Sequence, residues 1–199
     1  MKGLGFDALG TVLYSMPSGA VGFVCVLSLT TLVRYRPHLR FPVAIVCILI
    51  VVFVLFFVSL APVSNWAKYG VYMLWPVATV GTFLVWPLMS INIAGRTKKS
   101  FLAGMSLLAY SIGNIVGSQI MRPSDAPKYL KGISGCAVCF AVACVDLALW
   151  WWYYVRTNKR RDREFEESGM SDEVREHEMR LAGKMDLTDL QNRHFRYLC

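Results

Sequence analysis

Charge is what this sequence has least of. Only 17% of its 199 residues are charged, against 55% hydrophobic, and its mean hydropathy is +0.44. A water-soluble domain carries about 25% charged residues, so a soluble globular fold is excluded. Alternation of polar and apolar residues is also missing, and the apolar runs far exceed the ~10 residues of a barrel strand, which excludes a membrane β-barrel. No phosphate loop, nucleophile elbow or H-E-x-x-H pattern occurs, so no enzyme chemistry is expected. The three histidines, His38, His177 and His194, fall in connections or in the tail, which excludes a histidine-rich intramembrane metal cluster. Of the six cysteines, Cys25, Cys47, Cys136, Cys139 and Cys144 lie within apolar runs, where they act as small packing residues rather than a disulfide framework. Cys136-x-x-Cys139 lacks the second ligand pair of a zinc site, and Cys199, as the last residue, lacks the three that follow a prenylated cysteine. Neither a metal nor a cofactor is expected.

What the sequence does have is long hydrophobic runs, at 11–33, 41–61, 69–93, 101–120 and 133–155. A bilayer core of about 30 Å is crossed by about 20 apolar residues in a helix. The expectation is therefore an all-α membrane protein with five transmembrane helices within residues 1–157, followed by a polar cytoplasmic tail, 158–199. The first run is too long for the hydrophobic part of a signal peptide and no small-residue cleavage pattern follows it before Arg34, so it reads as a mature helix.

The cations are distributed unevenly over the connections. Arg34, Arg36 and Arg40 lie on one side, with Arg96, Lys98 and Lys99 and the ten Lys or Arg from Arg156 onward; Lys2, Lys68, Arg122, Lys128 and Lys131 lie on the other. The positive-inside rule then places the C-terminus in the cytoplasm and the N-terminus outside. This asymmetry accounts for most of the net charge of +8, so no nucleic acid partner is expected. Membrane lipids, with their anionic headgroups, are the ordinary partner of such charge.

Polar residues inside the runs are the candidate functional ones. Tyr72, Trp75, Thr79, Thr82 and Trp86 recur at spacings of 3, 4, 3 and 4, which puts them on one face of a continuous helix. Such a face either cradles a polar solute or packs its rings on neighbours while its threonines bond their own backbone. Pro76 and Pro87 each remove a ladder bond from this run and kink it. Small residues form two stripes: Ser15, Ser18, Gly22 and Cys25 in the first run, and Gly104, Ser111, Asn114 and Ser118, beside Gly113 and Gly117, in the fourth. Small faces allow close helix approach in lipid and mark seams; Asn114 serves as interhelical glue or as a ligand. Asp146 is the acid well inside a span, where ionisation costs about 2.5–3.5 kcal/mol. It is a candidate proton site or is paired locally. Trp150–Tyr154 form an interfacial aromatic belt. In the tail, a helix is expected from a Ser171 cap to Gly183, and Thr188 and Gln191 have the spacing of a capping box for a second. Val174, Leu181, Met185, Leu187 and Leu190 are the residues expected to dock it.

Several motifs, in order, carry a resemblance: MPSGAV (16–21), NIAGRTKKS (92–100), GNIVGSQ (113–119), DAPKYLKG (125–132), NKRRDRE (158–164) and DLTDLQNRHFRY (186–197). Together they resemble the C-terminal part of the fungal anion:cation symporters, the allantoate-permease-like branch of the major facilitator superfamily. The resemblance implies twelve helices in two six-helix halves, of which this chain is similar to helices eight to twelve and the tail. It implies that the third helix lines the central cavity, that the first and fourth lie at the seam between halves, and that the fifth is peripheral. It further implies proton-coupled uptake of small organic anions such as allantoate, nicotinate or a related vitamin, at the plasma membrane. The partners would be substrate, protons and the N-terminal half that this truncated C-terminal fragment lacks, so it is expected to be inactive alone. A non-transporting accessory or structural membrane protein is the alternative.

Overall fold

The computed structural model describes residues 8–120, 122, 125 and 129–199. Among them the structure is all helix, turn and irregular chain, with no strand. The helices are α1 (Ala8–Tyr35), α2 (Arg40–Leu60), α3 (Asn65–Tyr72), α4 (Val77–Ile91), α5 (Arg96–Ile120), α6 (Leu130–Ser168) and α7 (Asp172–Lys184). Four of them, α1, α2, α5 and α6, are long and apolar enough to cross a membrane, and the chain is a multi-pass membrane protein.

The most apolar helix, α2, lies at the centre. Its buried stripe, Phe41, Ala44, Cys47, Val51 and Val54, advances by three or four residues, so one face meets its neighbours along the full length. α4 packs against this stripe at its closest point: a Cβ built on Gly81 would stand 3.0 Å from the Cys47 Cβ. α6 packs against the other end, where Phe41 meets the Trp150 ring edge-on at 5.6 Å and Tyr154 at 6.0 Å. α1 lies on α4, with Val33, Val80 and Leu84 buried between them.

The third expected span, 69–93, is not a continuous helix. It breaks at Met73–Pro76 into the short α3 and α4. Pro76 has no N–H to give Tyr72, and its ring crowds that carbonyl. The chain answers by tightening into i→i+3 bonds, Leu74 N–H to the Val71 carbonyl at 3.0 Å and Trp75 N–H to the Tyr72 carbonyl at 2.9 Å. Pro87 leaves α4 intact, so one of two prolines in the same run ends an element. The fifth span differs in the other direction: α6 runs on past 155 to Ser168 and carries the aromatic belt and the start of the tail on a single rod. Gly169, at φ +63, stops it, in the left-handed conformation that glycine adopts without penalty.

The close approach at Gly81 yields a stability test. Gly81→Leu must push α4 away from Cys47, at a cost of about 1–3 kcal/mol, and lower the temperature at which the chain in detergent aggregates. Gly135→Leu on α6, where nothing lies within 4 Å of the added carbon, should leave that temperature unchanged.

Candidate functional site

Below the break, α4 turns one face away from α2. Thr82, Trp86 and Ser90 are exposed at spacings of four, while Val80, Leu84 and Leu88 are buried on the other side. The exposed face borders a cleft of about 350 Å3 between α4 and α5, whose walls include Trp86, Ser90, Ile93, Lys99, Ser106 and Leu107. Tyr110 of α5 closes on Trp86 edge-on, ring centres 6.0 Å apart. The cleft is apolar along most of its wall, with hydroxyls from Ser90 and Ser106 and one cation, Lys99. Trp86 was legible from the sequence as part of the polar stripe. Lys99, Ser90 and Ser106 were not, because Lys99 was absorbed into the charge count, Ser90 lies one step past the end of the aromatic stripe and Ser106 belongs to another helix.

The rest of the stripe is divided by the break. Tyr72, the last residue of α3, and Trp75, within the break, stack on each other, 6.5 Å apart with rings 8° from parallel, and no continuous helix joins them to Thr82 and Trp86. The Thr79 side chain lies outside the described residues.

The small-residue stripes fall into two environments. Gly22 lies against the break itself: a Cβ there would stand 3.0 Å from the Cβ of Pro76, so this glycine admits the break into the bundle. Ser15 is half-buried and donates to the Val12 carbonyl of its own helix at 2.7 Å. On α5 no described residue is buried; Gly104 and Gly117 have open space at their Cβ positions. Ser111 donates to the Leu107 carbonyl at 2.9 Å and Asn114 to the Tyr110 carbonyl at 2.9 Å, so within this chain the amide is not interhelical glue. Asp146 is exposed on α6 and has no ion-pair partner among the described residues.

A second constellation, which residue periodicity did not disclose, holds the C-terminus. Asn92, the C-cap of α4, is fully buried, and its carboxamide takes both backbone groups of Leu198: it accepts from the N–H at 2.6 Å and donates to the carbonyl at 3.1 Å. Asn158 of α6 does the same for Tyr197, at 2.9 and 2.8 Å. Arg161 donates to the carbonyls of Phe195 and Asp189 and lies 5.1 Å over the Tyr197 ring. That ring stacks on Tyr154, centres 4.1 Å apart, and its hydroxyl donates to Asp189 at 2.9 Å. Asp189 in turn pairs with Lys98 at 2.6 Å. Asp186 accepts from the Arg96 N–H and so caps α5, where a carboxylate also meets the positive end of the helix.

Of the five apolar residues expected to dock the tail, Leu187 is half-buried and the other four are not. Val174, Leu181, Met185 and Leu190 are exposed, Met185 and Leu190 by 69% and 65%. Docking runs instead through paired polar groups and stacked rings. α7 forms as expected, although Ser171 makes no side-chain cap bond. Thr188 and Gln191 form the reciprocal bonds of a capping box, 3.0 Å from the Thr188 N–H to Gln191 and 3.4 Å from the Gln191 N–H to Thr188, but the chain makes one turn there rather than a helix.

Burial raises the Asp189 carboxyl, but the hydrogen bonds from Lys98 and Tyr197 and the Lys98 charge outweigh it and hold the group below its ordinary value. Tyr197 is pushed well above the usual phenol range, first by burial and then by its bond to the Asp189 carboxylate. Burial also raises the Cys199 thiol, with partial relief from Asn158.

No family model and no solved structure matches this chain. Over almost its whole length it is similar to fungal membrane transporters. An uncharacterised transporter of Schizosaccharomyces pombe is 31% identical over 99% of this chain and 38% of its own length. An MFS-type transporter of Penicillium expansum is 30% identical over 99% of the chain and 39% of itself, and the allantoate permease of Saccharomyces cerevisiae is 30% identical over 97% and 36%. The chain is a relative of the fungal transporters that include the allantoate permease. It spans a little over a third of the length of the curated relatives it matches. Three of the segments that carry the resemblance, 92–100, 158–164 and 186–197, meet in the clamp around Tyr197.

Two tests follow from the clamp. Asn92→Ala with Asn158→Ala leaves the backbone groups of Tyr197 and Leu198 without their partners, at about 1–3 kcal/mol for each group that stays buried, and carboxypeptidase should trim the last residues at least several-fold faster. A group whose carboxyl is depressed by folding stabilises above its unfolded pKa and loses that contribution as pH falls through the folded value. The mobility of a spin label at the exposed Leu190 should therefore stay constant from about pH 7 to pH 5 and rise only below roughly pH 4.

Proposed function

We propose that this chain forms the C-terminal part of a proton-coupled secondary transporter for small organic anions, equivalent to helices eight to twelve and the tail. The observation that carries the reading is similarity along nearly the whole chain to transporters that include an allantoate permease. The cleft between α4 and α5 supports it. Apolar walls beside Trp86 and Tyr110, two serine hydroxyls and the Lys99 ammonium suit a compact carboxylate such as allantoate, nicotinate or a related vitamin. The apolar part would lie on the rings and the carboxylate at the cation. Tyr72, Trp75, Thr79 and Thr82 would extend this surface toward the opposite side of the membrane, and Asp146 would serve as a proton site only if the complete assembly gave it a water-filled path.

Alternating access rocks one half of such a transporter against the other around a site near the midplane. In this reading the uncovered face of α5, with Gly104, Ser111, Asn114 and Gly117, is the seam for the N-terminal half, together with Ser15 of α1. Gly22 belongs instead to packing within the chain. The C-terminus and the basic α4–α5 turn would face the cytoplasm, with the plasma membrane as the site of action.

A chimera in which this chain replaces the matching part of the allantoate permease tests the reading. Saturable uptake of a small carboxylate is expected. Trp86→Ala and Lys99→Gln should each reduce it about ten-fold or more, the scale of one lost polar or ring contact to substrate, with surface abundance unchanged. Equal losses of abundance and uptake would assign both residues to packing. The 199-residue chain alone in liposomes should take up nothing, and proton-dependent uptake by it would overturn its role as one part of a larger carrier.

A further inference from the structure

Beyond the aromatic belt, α6 has two faces. On one, Tyr154, Thr157 and Arg161 are buried under the tail. The opposite face, half a turn round at 100° per residue, carries Trp152, Arg156, Lys159, Arg160 and Arg163, all exposed and bordering one open groove. The Arg156 guanidinium lies 5.1 Å over the Trp152 ring. Most of the nearby acid is directed elsewhere: Asp162 is taken by Arg196 of the tail at 2.7 Å. Glu164 meets Arg160 at 3.4 Å, with both side chains largely exposed, and Glu166 and Glu167 stand about one turn farther from the belt.

Position then selects the ligand. Tryptophan and tyrosine mark the membrane–water boundary, and Arg156 to Arg163 lie roughly 6–16 Å beyond Trp152 along the helix. The headgroup layer is about 5–8 Å deep, so Arg156 lies within it and Lys159, Arg160 and Arg163 bend their long side chains back toward it. A nucleic acid or an acidic protein approaching this face would meet the bilayer beside it, whereas lipid phosphates already lie at that depth. Because the clamp on Tyr154, Asn158 and Arg161 fixes the rotation of α6, the cations are held outward.

We propose that this face is a binding site for the phosphate-bearing headgroup of an anionic phospholipid. Arg156 and Arg160 are the planar donors that can fork phosphate oxygens, Lys159 and Arg163 widen the positive field, and Trp152 anchors the glycerol region. The inference rests on the membrane placement of α6 and not on transport, so it stands or falls separately from the carrier reading.

The test titrates the purified full chain in detergent with fluorescent short-chain phosphatidylserine, with phosphatidylcholine as the neutral comparison and inorganic phosphate as a competitor. Tighter binding of phosphatidylserine is expected, with no competition by phosphate at matched concentration. Arg156→Gln/Arg163→Gln should weaken that binding by about five-fold for each cation. Arg180→Gln/Lys184→Gln removes the same net charge from α7 and should change it by less than about two-fold. Elution position and helix content of each variant report that folding is intact. Equal weakening by the two pairs would overturn the site in favour of diffuse attraction to net charge. Displacement by inorganic phosphate would overturn the lipid as its ligand in favour of a free anion, and equal affinity for both lipids would remove the site altogether.

Discussion

Two carboxamides hold the tail of this chain in place. Asn92 caps α4 and Asn158 lies within α6, and each replaces water for the two backbone groups of one residue, Leu198 and Tyr197. A buried amide that makes only one of its bonds loses more than it gains, so the arrangement favours having the tail fully seated or released. Once it is seated, the Tyr197 ring completes the cluster of Phe41, Ala44, Leu88, Leu147 and Tyr154. The start of α2, the end of α4 and the middle of α6 then share one core, and α5 is tied to them through Lys98 and the Asp186 cap.

The basic turn between α4 and α5 thereby takes on three separate tasks. Arg96 offers its backbone N–H to Asp186, Lys98 neutralises a buried carboxylate, and Lys99 borders the cleft beside Ser106. Gly95 makes this possible: its φ of +92 turns the chain, and Thr188 and the Asp186 carbonyl come within 3.5 Å of where a Cβ would be. Net charge alone describes none of this, since the three cations are equivalent in a count and distinct in their contacts.

The spans were legible because a bilayer imposes one length and one polarity on any helix that crosses it. The break in the third run was only half legible. Pro76 and Pro87 each promised a kink, and what separates them is a partner, since Gly22 gives Pro76 the space to sit against α1. The tail went furthest astray, because an apolar tally points to leucines, while Asn92 and Leu198 are 106 positions apart and their bonds leave no periodic trace. Of the candidate stripe, the half containing Thr82 and Trp86 shares the exposed face of α4, whereas the register of Tyr72 and Trp75 depended on a continuous helix that the fold does not contain.

The unbroken length of α6 carries a mechanical meaning of its own. Thirty-nine residues without an internal proline make a rod of about 58 Å at 1.5 Å per residue, longer than the hydrocarbon layer by nearly a factor of two. With no hinge at the water boundary, a tilt of about ten degrees about the contact with α2 moves the far end, about 21 Å beyond Tyr154, by roughly 4 Å. α6 is thus a lever pivoted on α2 near the boundary, whose longer arm lies among the spans and whose shorter arm carries the seated tail. Small rearrangements among the spans are delivered to the segment that follows Gly169, with no hinge between to absorb them.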